Sequence, residues 1–335
     1  MAMNSPPRFH LATLPTPIDE ATRLREALGG SAKCPRILIK RDDLTGLAFG
    51  GNKARKLEFL VAGALEQRAT VLVTTGAEQS NHARMTAAAA RIAGLGASLV
   101  LTGKTGPAGP PQGNLLLDYL LGAEVRFAAD GAEEAAVTSG VMDGLRARGE
   151  RPYLIPIGGS SPLGALGYVE GTREIVEQLA AMRVVPSRLY YAAGSRGTQA
   201  GLSLGAKIHN APYQLCGVAV SGGEPEKTAR AVRLANEGAA ILGAAARVSP
   251  ADIVTDQNYI GPGYAIPTPG CLEAIHLLAR HEGIFLDPVY TAKVMAGLID
   301  HIRRGDIDPG ETVVFLHTGG TPALFAYAGQ LGLPR

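Results

Sequence analysis

Short β-branched and aliphatic runs alternate along the chain with stretches whose apolar positions return every three or four residues. The runs predict strands at Ile37–Lys40, Val71–Thr75, Ser98–Thr102, Tyr153–Ile157, Leu189–Ala193, Leu215–Val220 and Val313–His317. Helical spacing marks Ser80–Ala93, Asn114–Leu121, Gly164–Leu179 and Gly201–Ile208. After Lys53, the apolar residues Leu57, Leu60, Val61 and Leu65 follow the same period. Strands separated by helices point to an α/β architecture with parallel sheets covered on both faces.

At 335 residues the chain is long for one domain and comfortable for two. Abundant Gly and Ala, few aromatics and no Trp suit closely packed helices and tight turns. A net charge of +2, with no basic run, implies no nucleic-acid partner and no anionic membrane. The most apolar later stretch, around Ala87 to Leu101, is broken by Arg91, so no membrane span is expected. Nothing at the N-terminus has the pattern of an export signal. Cys34, Cys216 and Cys271 are few, odd in number and far apart, which implies neither a metal site nor a disulfide framework and fits a reducing cytoplasm. The Gly/Pro-rich segment Gly106–Gly113 reads as a surface loop.

Several turns carry candidate chemistry. In Gly50-Gly51-Asn52-Lys53 a lysine opens a helix, with Asn52 as expected N-cap. The positive end of the helix disfavours an ammonium, which suits a nucleophilic or Schiff-base lysine, although a solvated lysine has the same pattern. In Thr75-Gly76-Ala77-Glu78-Gln79-Ser80-Asn81-His82 a strand turns into a helix capped by Ser80, whose free N–H groups suit a carboxylate. That pattern also serves as a plain capping turn, and His82 reads either as an acid–base group or as a structural hydrogen-bonding one. Gly194-Ser195-Arg196-Gly197-Thr198 joins a strand to a helix with two glycines and two hydroxyls, a phosphate cradle or a structural turn. If these turns serve one site, it lies in a cleft between domains.

A lysine, a phosphate cradle and small polar groups together suit pyridoxal 5′-phosphate. The motifs KRDDLTGLAFGGNKARKLEFL, QSNHAR, IPIGGSSPLGALGY, GSRGTQAGL, GPGY, LDPVYTAKVMAGLI and FLHTGGTPALFAY run through nearly the whole chain. In this order they resemble the D-cysteine desulfhydrase and ACC (1-aminocyclopropane-1-carboxylate) deaminase family of fold-type II PLP enzymes. The resemblance implies two open twisted α/β domains with the cofactor in the cleft between them. The small domain is expected at residues 53–166, and the large one at residues 1–52 and 167–335.

By resemblance, Lys53 holds the cofactor as a Schiff base and moves the substrate's α-proton, with Ser80 and Tyr290 as the other catalytic groups. Lys56 and the loop of Gly194, Ser195, Arg196, Gly197 and Thr198 match phosphate contacts. Asn81 matches the residue bonding the pyridoxal hydroxyl, and Thr318 lies beside the ring nitrogen. Ser80, Asn81, His82, Tyr264, Tyr290 and Thr291 match the substrate side, with no metal. Two departures stand out. Glu78 occupies a place usually neutral, and Arg196 replaces a small residue, either adding charge near the phosphate or pointing to solvent.

The implied reaction is β-elimination from a small amino acid, foremost D-cysteine, giving hydrogen sulfide, pyruvate and ammonia. ACC deaminases carry a carboxylate and a leucine where this chain has Thr291 and Thr318. A hydroxyl keeps the ring nitrogen protonated less well than a carboxylate does, so a good leaving group is favoured over ring opening. L-Cysteate sulfo-lyase shares the threonines and is the next reading, followed by ACC deaminase. A PLP-binding protein without turnover is the non-enzyme alternative. A homodimer is a family expectation.

Overall fold

The protein is described by a computed structural model over residues 4–103 and 109–333. Residues 106–108 of the expected surface loop lie outside the described residues. The strands are β1 (Ile18–Glu20), β2 (Arg36–Lys40), β3 (Val71–Ala77), β4 (Gly96–Thr102), β5 (Glu124–Ala128), β6 (Pro152–Ile155), β7 (Arg188–Ala193), β8 (Gln214–Ala219), β9 (Thr255–Asp256) and β10 (Thr312–Leu316). Every predicted strand is present. β1, β5 and β9 were not anticipated: β1 and β9 are very short, and β5 alternates exposed with half-buried positions at a sheet edge.

Two sheets form. One runs β1-β2-β10-β7-β8-β9 and the other β5-β4-β3-β6. All pairings are parallel except β1 with β2. Parallel strands need crossovers, and the helices that supply them cover both faces. The predicted helices appear as Asn81–Ile92, Gly113–Leu120, Pro162–Ala181 and Gly197–Ile208. The Lys53–Glu66 helix buries Ala54, Leu57, Leu60, Val61 and Ala64 against Leu72, Leu99 and Ile155 of the four-stranded sheet. Its Phe59 faces the other way, packing with Leu166, Leu204 and Leu234. The expected boundary between residues 166 and 167 falls inside the continuous helix Pro162–Ala181, which packs along both the Lys53 helix and the Gly197 helix.

In open parallel sheets, ligands bind beyond the carboxyl ends of the strands. The loops after β3, β6, β7 and β10 leave those ends and meet in one place, because the two sheets direct them toward a common cleft. Among the described residues no helix is long and apolar enough to cross a membrane.

Candidate active site

The cleft encloses about 300 Å³. Its wall brings together Lys53, the Gly76–His82 turn, the Gly194–Thr198 loop, the Tyr264 and Tyr290 loops, and Thr318. These come from distant parts of the sequence.

Lys53 is the first residue of its helix. The chain enters through Gly50 and Gly51 at φ 69° and 131°, a region side chains avoid. At Gly50 a Cβ would come within 1.9 Å of the Asp43 carbonyl oxygen. The Thr45 hydroxyl accepts from the Gly51 N–H at 2.8 Å and donates to the Gly51 carbonyl at 2.9 Å, pinning the turn. Asn52 is not the side-chain cap expected: its backbone is helical and it makes no cap bond. Its Nδ2 donates to Thr198 Oγ1 at 3.1 Å, its Oδ1 accepts from Lys53 Nζ at 3.2 Å, and its N–H donates to the Thr318 carbonyl at 3.0 Å. Asn52 therefore joins three parts of the site. Burial pushes the Lys53 amine down to about 8, against the opposing pull of the Asp287 carboxylate. Desolvation of the charged form is thus the chief cause.

The Gly194–Thr198 loop lies against Ile157–Gly159 and Ser160. Ser160 Oγ accepts from the Gly197 N–H at 3.1 Å and donates to Ser195 Oγ at 2.8 Å. Lys56 Nζ donates to the Gly158 carbonyl at 3.1 Å. A Cβ on Gly197 would come within 2.7 Å of Ser160 Oγ and 2.9 Å of Lys56 Nζ, so a hydroxyl, an ammonium and a helix N-terminus converge on one point. The Lys56 amine lies well below its usual range, through burial and then through Lys53 and Arg230. An anion bound here would offset that burial and repulsion and favour the charged amine.

Arg196 does not point to solvent. Its side chain is buried and paired with Glu224, and it donates to Gln199 Oε1 at 2.7 Å and Thr255 Oγ1 at 3.0 Å. Its guanidinium anchors the loop to Glu224, Gln199 and Thr255, and Arg196 also lines the cavity. Glu78 lies outside the cavity wall, its carboxylate close to Gly103.

Ser80 caps the Asn81–Ile92 helix as expected, accepting from the Ala83 N–H at 3.2 Å. Its own hydroxyl hydrogen stays available, and the N–H groups of Asn81 and His82 have no partner within the helix. His82 is buried, with Nε2 2.8 Å from Thr74 Oγ1. That hydroxyl donates to the Ile155 carbonyl, so it accepts from the imidazole and sets the Nε2–H tautomer. Burial, then Lys53 and Lys56, keep the ring neutral.

Across the cleft, the Tyr264 and Tyr290 hydroxyls share a 2.5 Å hydrogen bond, with the rings edge to face. Thr291 corrects the sequence reading. It is fully buried behind the wall, and its hydroxyl donates to Asp287 Oδ1 and accepts from the Asp287 N–H, both at 2.7 Å. Asp287 also accepts from the N–H groups of Val289, Tyr290 and Thr291. This box fixes the Tyr290 backbone, so Thr291 shapes the site without touching the cavity. Sequence reasoning missed Ser160, Lys227 and Arg230. Ser160 stands in a Gly-Gly-Ser-Ser turn that reads as structural, while Lys227 and Arg230 sit on a helix whose sequence gives no sign that it reaches a cleft.

These residues fit pyridoxal 5′-phosphate: a cationic glycine cradle for a phosphate, a lysine of lowered proton affinity, and small polar groups flanking the space between. The family model for pyridoxal-phosphate dependent enzymes matches residues 10–319. The D-cysteine desulfhydrase of Salmonella choleraesuis (strain SC-B67) is 44% identical over 324 residues, covering 96% of both chains. That of Salmonella typhi is 43% identical over the same length and shares. A crystal structure described as an ACC deaminase homologue has a TM-score of 0.86 and 40% identity, covering 97% of this chain and 95% of its own. A threonine deaminase structure, at 21% identity and TM-score 0.62, shares the fold.

Proposed function

We infer the reaction from one premise: the chain belongs to the pyridoxal-phosphate dependent enzyme family, on its D-cysteine desulfhydrase and ACC deaminase branch. It is a PLP-dependent carbon–sulfur lyase. The proposed substrate is D-cysteine, which with water gives hydrogen sulfide, pyruvate and ammonia. The carrying observation is a single cleft whose wall joins Lys53, with its amine near 8, to Gly194, Ser195 and Thr198 of the glycine loop and to the Tyr264–Tyr290 pair, with Lys56 buried beside that loop.

When bound, the cofactor supplies an electron sink that makes the substrate's α-hydrogen acidic. The cradle of Lys56, Gly194, Ser195, Gly197 and Thr198 would hold its phosphate, with Arg196 bracing the loop. Lys53 would hold its aldehyde carbon and, once displaced by substrate, accept the α-proton at Nζ. Ser80 and the first N–H groups of its helix would take the substrate carboxylate. The tyrosine hydroxyls, paired on the cavity wall, would pass a proton to the leaving sulfur. Thr318 would lie beside the ring, and Asn81 and His82 would flank it. Thr291 and Thr318 together would carry the residue-level contrast with ACC deaminases, Thr291 through its bond to Asp287 and Thr318 at the cavity wall. A cytoplasmic homodimer completes the proposal; light scattering tests the dimer.

The test is a panel of D-cysteine, L-cysteine, L-cysteate and ACC, followed by sulfide, pyruvate and 2-oxobutanoate release. D-Cysteine is expected to give the highest catalytic efficiency, and Lys53→Ala to abolish turnover and the borohydride-reducible adduct. ACC turnover at or above that of D-cysteine would overturn the assignment. L-Cysteate is the second reading, on the two threonines Thr291 and Thr318; the wall cations Lys227 and Arg230 stand at the Ser160 and Arg196 end of the cavity, beside the phosphate cradle. Turnover of L-cysteate without D-cysteine would select it.

A further inference from the structure

We propose that Asn114 is a positioning residue that fixes the side-chain amide of Asn81 with its NH₂ toward the cavity, where a ring oxygen of the cofactor would accept. This rests on the reading that pyridoxal 5′-phosphate lies in the cleft with Asn81 beside its ring.

Asn114 is the second residue of the Gly113–Leu120 helix and is completely buried, 0% exposed. Its Nδ2 donates at 3.0 Å to the Gln79 backbone carbonyl and at 3.0 Å to Asn81 Oδ1. A backbone carbonyl can only accept, so the Gln79 oxygen decides which end of the Asn114 amide faces it. The same NH₂ then faces Asn81, which must answer with its oxygen. The orientation thus follows from an unambiguous acceptor, and not from a choice between amide flips.

Gln79 is itself held from both sides. Its Oε1 accepts from the Asn114 N–H at 2.9 Å, and its Nε2 donates to the Gln112 carbonyl at 3.1 Å. Arg84 Nη2, 3.4 Å from Asn81 Oδ1, is a second donor that would repel a reversed amide. With the oxygen engaged, the Nδ2 of Asn81 points the other way. It lies beside Gly320, where a Cβ would approach it to 2.9 Å, and Asn81 lines the cavity. Reversal of this amide would set an acceptor against an electron-rich ring oxygen, turning attraction into repulsion.

The test uses purified holoenzyme, with the cofactor's visible absorbance and its dissociation constant as readouts. Asn114→Leu removes the donor, and Asn114→Asp replaces it with acceptors of the same shape. Both are expected to shift the visible band at fixed pH and to weaken cofactor retention about tenfold or more, the scale of one lost hydrogen bond to a charged group. In an Asn81→Ala background, adding Asn114→Leu should change neither readout, because Asn114 acts through Asn81. A folded Asn114→Leu protein with the wild-type band and affinity overturns the inference, as do effects that add in full on Asn81→Ala. If the Asn114 variants do not fold, Asn81→Asp keeps the bond from Asn114 while presenting oxygen to the cavity. It must then reproduce the shift, and a wild-type band overturns the inference. Wild-type protein that takes up no coloured cofactor would instead overturn the reading beneath it.

Discussion

At the scale of single residues, the chemistry turns on how readily Lys53 becomes a neutral amine. An exposed lysine near 10.5 is almost wholly ammonium at neutral pH, whereas a group near 8 is about one-tenth neutral there, a gain of more than a hundredfold in free amine. Only the neutral amine can attack the cofactor's aldehyde. Recombination of cofactor-stripped protein with PLP should therefore be slow below pH 7, rise through an inflection near 8 and level off above it. Stopped-flow absorbance measures this directly; a rate still climbing toward pH 10.5 would show that the lysine is unperturbed. Lys53 was legible in the sequence because two glycines and an asparagine before an amphipathic helix make a rare pattern. The cause of its lowered proton affinity was only partly legible, since burial and Asp287 come from the folded cleft. The burial of Thr291 and the partners of Arg196 were hidden for the same reason. Glu224, which pairs with Arg196, has no fixed spacing from it that sequence alone would signal. Asp287 and Thr291 look like a turn until their four-residue box closes.

Among elements, the strand–loop–helix unit from β7 to the Gly197–Ile208 helix makes the sharpest demand. Its loop works only if the backbone at Gly197 lies against Ser160 and Lys56, where a Cβ would stand at 2.7 Å and 2.9 Å from their polar atoms. Gly197→Ala should push Ser160 or Lys56 out of the cradle while leaving the helix intact, since alanine is the better helix former. Cofactor affinity is expected to drop about tenfold or more, for the loss of one to two charge-assisted bonds, with the far-ultraviolet spectrum unchanged. Equilibrium dialysis of PLP decides it, and an unchanged affinity would remove this loop from the phosphate site. The strands flanking such loops were readable because β3, β4, β7 and β10 are buried nearly throughout and carry continuous apolar runs. The Gly131–Ala147 helix was not, because most of its residues are exposed or half-buried and its apolar stripe is weak.

For the whole molecule, the Lys53 helix has to answer to both sheets at once. Its apolar face belongs to the four-stranded side, but Arg55 ties it to the other. Arg55 donates to both Asp42 oxygens at 2.8 Å and to both Glu174 oxygens at 2.8 and 2.9 Å. Tyr168 bonds the same Asp42, and Lys40 Nζ joins Glu174, Gln178 and the Thr16 carbonyl. Burial alone would raise the Asp42 carboxyl, but Arg55 and Lys40 outweigh it and hold it below its usual range; Glu174 is lowered likewise. Carboxyls lowered in the folded state add stability above about pH 4, and that stability is lost as pH falls through their folded values. Arg55→Met keeps the stem but strands Asp42 as a buried charge, at a cost of about 3–5 kcal/mol near pH 7. The cost should shrink on acidification, because Asp42 freed of Arg55 loses the partner that holds its carboxyl low, so burial lets it take up a proton and become neutral by pH 4. Urea unfolding of cofactor-free protein at pH 7 and pH 4 tests both parts. Equal destabilisation at the two pH values would mean that Arg55 contributes packing alone. A loss below 1 kcal/mol at pH 7 would mean that the sheets are held together without it.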